Sequence, residues 1–176
     1  MNETQMKQVE MHKDFFDRCK FALDNGFYME ALLMEYAAIE SRLEIILGVI
    51  GLPCSKYLEF ELRKKINISN RIACLDHARK NSSIFQNSKL EKNFFKKLKK
   101  WTDTRNQYIH GLYKNELIYK QRMSDVKTIA EKGYEYCRLL YNEAQRVRRV
   151  CKKNPELLDG TIVCQSEKCT VYRPNP

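Results

Sequence analysis

Arg105, Asn106 and His110 are the residues of this chain whose types and spacing could do chemistry together. An imidazole titrates near neutrality and can take or give a proton. A guanidinium can hold a phosphate through two parallel hydrogen bonds and offset charge that builds up during reaction. An amide can bond a phosphate oxygen or orient the imidazole. On a helix Asn106 and His110 lie four residues apart and point the same way, and Lys92, Lys96, Lys99 and Asp103 fall on or near that face. Arg105 and His110 are five residues apart, about 140° around an unbroken helix. They converge on one ligand only if the helix bends, for which Gly111 offers a place, or if symmetry-related copies meet. No group of carboxylates sits nearby with metal-ligand spacing, so the expectation is chemistry at phosphate without a metal or other cofactor.

These residues need a helix to place them, and the apolar spacing predicts one from about Ser88 to Tyr113. Phe94, Leu98, Trp101, Tyr108 and Leu112 form one stripe on it, with Arg105 at the stripe's centre. An unpaired guanidinium is costly to desolvate, so Arg105 demands an acidic partner, a wet subunit interface or a bound anion. Other helices are predicted around it. The first runs from about Thr4 to Leu23 and stops at Asp24-Asn25-Gly26. The second runs from Tyr28 to Ile50. Leu32, Tyr36, Ile39, Leu43, Ile46 and Ile50 form its stripe, Ala37 and Ala38 permit close approach of a neighbour, and Gly51-Leu52-Pro53 ends it. A weaker helix spans about Ser69 to Lys80, capped by Asn67 or Ser69, after a connector around Tyr57 to Lys65. The last is read from Ser124, with Ser124-Asp125 as its cap, to Cys151. Val126, Ala130, Gly133, Cys137, Leu140, Ala144, Val147 and Cys151 make a seam of small residues suited to tight antiparallel packing.

Only six Gly and four Pro occur in 176 residues, too few for the many tight turns of an all-β chain. The expected fold is therefore all-α: an up-and-down bundle of four to five helices in one domain, residues 1–153. A C-terminal tail, residues 154–176, follows. Within it Thr161–Cys164 and Cys169–Tyr172 suit either a small hairpin or an irregular segment.

The formal charge is +10, and it is unevenly spread. Residues 1–83 are balanced, whereas residues 84–153 hold eighteen Lys/Arg against seven Asp/Glu. That excess lets one region face a polyanion, although a solvated charged surface would show the same count. The longest apolar stretch, Ile45 to Leu52, is too short to span a bilayer, and the first fifteen residues carry mixed charges with no apolar signal core. A cytoplasmic protein without a membrane partner is expected. Seven cysteines occur without a Cys-x-x-Cys pair, so most read as small core residues. A site combining Cys164 and Cys169 with Cys151 or His12 is the alternative weighed for the tail.

The Arg105-Asn106-x-x-x-His110 segment resembles the signature of the HEPN superfamily: Arg, four to six residues, then His, often with a polar residue after the Arg. The Tyr36-Ala37-Ala38-Ile39-Glu40-Ser41-Arg42-Leu43 stretch is similar to an early helix of that family, and the likeness covers roughly Met6 to Cys151. It implies a helical bundle that forms a homodimer with the motif at the interface. It also implies a metal-independent endoribonuclease, of a kind common among prokaryotic toxins and antiviral defence effectors. Arg105 and His110 would be catalytic, Asn106 supporting, and Lys92, Lys96 and Lys99 would steer RNA. An antitoxin or nucleotidyltransferase partner is a further implication. The subgroup with a nucleotidyltransferase partner continues His-x-Tyr, whereas here Tyr113 stands one place late. The competing expectation is a non-catalytic RNA- or nucleotide-binding module that acts with a partner protein.

Overall fold

The structure is a computed structural model that describes residues 3–50, 67–112, 116–154 and 157. Within them the chain is helical, with no strand. Five α-helices occur: α1 (Glu3–Asp24), α2 (Tyr28–Ile50), α3 (Ile68–Asn81), α4 (Phe94–Leu112) and α5 (Glu116–Lys153), with a 3-10 turn at Ser83–Phe85. The expected connector at Tyr57–Lys65, Tyr113, and the tail with Cys164 and Cys169 lie outside the described residues.

Local chemistry sets most of the boundaries. Gly26 ends α1 with φ +79°, the left-handed conformation that glycine adopts without a Cβ penalty. The Phe27 amide then donates to the Ala22 carbonyl at 2.8 Å and the Gly26 amide to Leu23 at 3.2 Å, which satisfies two carbonyls of the last turn. Asn67, of the two capping candidates, caps α3: its side-chain oxygen accepts from the Asn70 amide at 2.9 Å.

Two starts differ from the sequence expectation. The Ser88 hydroxyl accepts from the Leu90 amide in a local turn while Leu90 dives into the core. Helix α4 begins only at Phe94, where the Lys97 amide reaches the Asn93 carbonyl. Conversely, α5 starts at Glu116, so Ser124 lies inside a helix and its carbonyl accepts from Thr128. Asp125 is no cap; it accepts a hydrogen bond from Tyr108 of α4 at 2.8 Å.

The most extensive contact is between α2 and α5. The α2 stripe is buried at Leu32, Ile39, Leu43, Ile46 and Ile50, and the α5 seam is buried along its whole length from Val126 to Cys151. Register fixes direction. Glu35 lies against Gly133 and Cys137, and Arg42 lies over the Tyr141 ring, so α2 and α5 run in the same sense. The small-residue seam, expected to suit antiparallel packing, thus meets a parallel helix in α2, while at Gly133 it also lies against Trp101 of α4. Helix α4 runs opposite to α5, with Phe94 against Tyr136, Trp101 donating to the Ile129 carbonyl and Tyr108 reaching Asp125. Helix α1 also opposes α5, with Phe16 against both Tyr134 and Tyr141. Arg71 pairs with Glu40, Arg79 holds the Lys92 carbonyl, and Arg146 stacks on Phe85 just beyond α3. Helix α3 therefore rises with α2, and the up-and-down alternation is interrupted between those two.

A buried acid absent from the sequence reading stands in the core. Glu35 is 0 % exposed, and neither carboxylate oxygen has a hydrogen-bond partner among the described residues. Burial pushes its pKa up to about 9, so the folded chain holds it as a neutral acid at pH 7. It fills the α2–α5 contact opposite Gly133. A Cβ on Gly133 would collide with Glu35 Oε2 and lie 2.6 Å from Trp101 Cζ2. Cys19 and Cys137 lie near the same carboxyl; burial first and Glu35 second push the Cys19 thiol up to about 12. Cys19, Cys74, Cys137 and Cys151 are buried, as core residues should be.

Candidate functional site

Helix α4 carries the expected Arg105, Asn106 and His110 through one unbroken span. Its wheel puts Arg105 among Leu98, Trp101 and Tyr108, and the structure leaves Arg105 only 9 % exposed. No ion pair reaches Arg105 among the described residues. Its partner is a ring: the guanidinium carbon sits 4.3 Å from the centroid of Tyr36 on α2. A cation over an aromatic face gains from the ring's quadrupole, most when both are dry. Burial lowers the Arg105 pKa from its ordinary value, and the Tyr36 phenol acts in the opposite direction.

The other guanidinium atoms decide what more this arrangement can do. Nη1 donates to Asn106 Oδ1 at 3.0 Å, while Nε is buried without a partner. An unpaired N–H on a charged group is costly to keep dry. Of the three answers expected for this charge, an acidic partner, a wet subunit interface or a bound anion, the first is supplied by no described carboxylate. Glu40, the acid that acts on the Tyr36 phenol, is committed to Arg71 at 2.8 Å, and Glu44 lies 3.9 Å from the same Arg71. The Tyr36 phenol has its pKa raised, by burial and then by Glu40, with Arg105 and Arg71 opposing.

His110 is exposed in the last turn of α4, and Asn106 is half-buried one turn before it. Gly111 lies inside the helix, which continues to Leu112. Arg105 and His110 remain on different faces, and one copy of the chain does not bring them onto one ligand. Asn106 stands between them, bonded to Arg105 and sharing the face of His110.

The three expected lysines separate. Lys92 lies before α4, exposed, with its backbone carbonyl held by Arg79. Lys96 is exposed on the His110 face. Lys99 lies one turn further on, paired with Asp103 at 2.6 Å. Among the described residues no group of three His, Cys, Asp or Glu side chains could hold a metal ion. His12, weighed as a ligand, faces Arg42 at 2.8 Å through Nδ1. No helix of the described residues is long and apolar enough to cross a membrane.

Tyr36 is the site residue that sequence reasoning missed as a partner of Arg105. Its signal was present, because Tyr36 sits in the α2 stripe between Leu32 and Ile39 and must turn its ring inward. The sequence matches no protein-family model, no curated protein matches it, and no solved structure matches the chain.

Proposed function

We propose that the chain is a metal-independent endoribonuclease of HEPN type, acting as a homodimer whose two copies of Arg105 and His110 face one cleft. The observation that carries this reading is the state of Arg105. It is a dry cation that has, among the described residues, no carboxylate partner and an unpaired Nε, with an Nη tied to Asn106 beside the exposed imidazole of His110. A phosphate oxygen would satisfy both its charge and its free donor. The angular gap between Arg105 and His110 calls for a second copy. Phe27, just before α2, and Leu33 on α2 are both about half exposed and offer apolar surface to it.

In this reaction His110 takes the proton of an RNA 2′-hydroxyl, and the 2′-oxygen attacks the adjacent phosphorus. Arg105 offsets the charge that develops on the phosphoryl oxygens. The bond to the 5′-oxygen breaks, the imidazole of the second copy returns a proton to that oxygen, and a 2′,3′-cyclic phosphate remains. A toxin or defence role, with an antitoxin or nucleotidyltransferase partner, is the setting that the motif suggests.

The test is incubation of wild-type and His110→Ala proteins with RNA in EDTA, followed by analysis of the ends. Cyclic-phosphate ends from the wild type alone support the proposal. Equal cleavage by pure, folded His110→Ala protein overturns it. The second reading, a binding module without catalysis, is favoured by the separation of Arg105 from His110 in one copy. It predicts steeply salt-dependent RNA binding with no shortening of the RNA.

A further inference from the structure

Between α3 and α4 runs a groove of about 470 Å³, in the size range of small-ligand sites. Ile72, Ala73 and Phe95 form its apolar part. Ser69 and Asn70, in the first turn of α3, supply a hydroxyl and an amide at one end. Lys80, Lys96 and Lys99 bring ammonium groups to its rim. Their commitments differ. Lys80 is paired with Asp76 at 2.6 Å and Lys99 with Asp103, whereas Lys96 has no ion pair among the described residues.

The position of the groove matters as much as its lining. On the α4 wheel Lys96, Lys99, Asp103, Asn106 and His110 share an arc of about 80°. Asp103 is the one acid on that arc, and its charge is offset by Lys99. The groove therefore opens onto the face that ends at His110. Lys96 and His110 are separated along the axis by about 21 Å, the span of a few nucleotides of extended strand.

We propose that this groove receives one nucleotide of single-stranded RNA, its base against Ile72 and Ala73 and its phosphate against Lys96, while the strand continues to His110. The identity of the polymer rests on the ribonuclease reading above. A recessed apolar floor rewards a base that has left its stack. A paired duplex buries that base and presents mainly phosphates and 2′-hydroxyls. Groove occupancy thus selects single strands, and lysines that met only phosphates would not.

Fluorescence anisotropy with His110→Ala protein in EDTA tests this on an intact labelled oligonucleotide, single-stranded or annealed to its complement. The single strand should bind about tenfold more tightly than the duplex. Ala73→Leu fills the floor without changing charge and should weaken single-strand binding about tenfold with the salt slope unchanged. Lys96→Gln should lower that slope by about one. Asn70→Asp is compatible with the first turn of α3, puts a negative charge in the groove and should also weaken binding, which covers the case in which Ala73→Leu fails to fold. Equal affinity for single strand and duplex, or unchanged binding by folded Ala73→Leu and Asn70→Asp proteins, overturns the groove. Cleavage by the wild type alongside such a result leaves the ribonuclease reading standing. Groove-dependent binding without any cleavage supports the groove and removes the ribonuclease reading.

Discussion

Replacing Glu35 with Gln should stabilise the protein by an amount that grows as the solution becomes more alkaline. Glu35 is fully buried, its oxygens lack partners among the described residues, and burial raises its pKa from 4.5 to about 9. An acid whose folded pKa is raised binds more protons in the folded state than in the unfolded one. Stability is therefore unaffected below about pH 4.5, falls as pH rises above that value, and levels off only beyond about pH 9. Each pH unit in that window costs about 1.4 kcal/mol, so the loss by pH 7 is about 3 kcal/mol. Gln has the same shape and cannot ionise. Its own buried amide adds an offset that does not depend on pH, so the slope carries the test. His12 has its pKa lowered by burial, then by Arg42 and Arg148, and acts in both proteins, so its effect cancels in the difference. Denaturant unfolding of both proteins from about pH 5 to about pH 9 measures this difference directly. A difference that stays flat across the window would refute the reasoning, because it would mean that the Glu35 carboxyl is solvated or already ionised in the folded chain.

Gly133→Ala should destabilise by about 3 kcal/mol or more, since the new Cβ meets both Glu35 and Trp101; a thermal melt within a degree or two of wild type would contradict the packing described. Tyr36→Phe keeps the ring under Arg105 and should change stability little, whereas Tyr36→Leu loses both the ring face and its fit and should cost about 2 kcal/mol in denaturant unfolding. Asn67→Ala removes the cap of α3 and should cost about 1 kcal/mol, read in the same way. His110→Ala, with its imidazole exposed in the last turn of α4, should leave the helical circular dichroism unchanged while RNA cleavage is lost.

Apolar spacing alone carries the helices well. The stripe from Leu32 to Ile50 and the seam from Val126 to Cys151 are both buried at the α2–α5 contact. Periodicity also makes the Arg105 anomaly legible, because a charge in a 3.6-residue stripe is visible without coordinates. What answers that charge is a tertiary fact: the ring belongs to another helix, far away in sequence. Glu35 escapes for a related reason. It falls on the buried arc between Leu32 and Ile39, but a carboxyl there reads as a polar rim until the neighbouring helix is placed. The misplaced starts of α4 and α5 arise from serines that read as caps in sequence; the Ser88 hydroxyl closes a turn before α4, and Ser124 stands well inside α5. The parallel course of α2 and α5 is likewise a tertiary fact that the periodicity of neither helix specifies.

The contact of Gly133 with Glu35 also couples the substitutions this chain can accept. A methyl group at position 133 meets both the Glu35 carboxylate and Trp101 Cζ2, and shortening position 35 relieves the first of these contacts and gives the indole ring space to shift. Ala at 133 should therefore be damaging in the present sequence and milder beside Ala or Ser at 35. The two positions constitute one unit of inheritance across two helices, and the cost of changing either depends on the order in which the changes arrive.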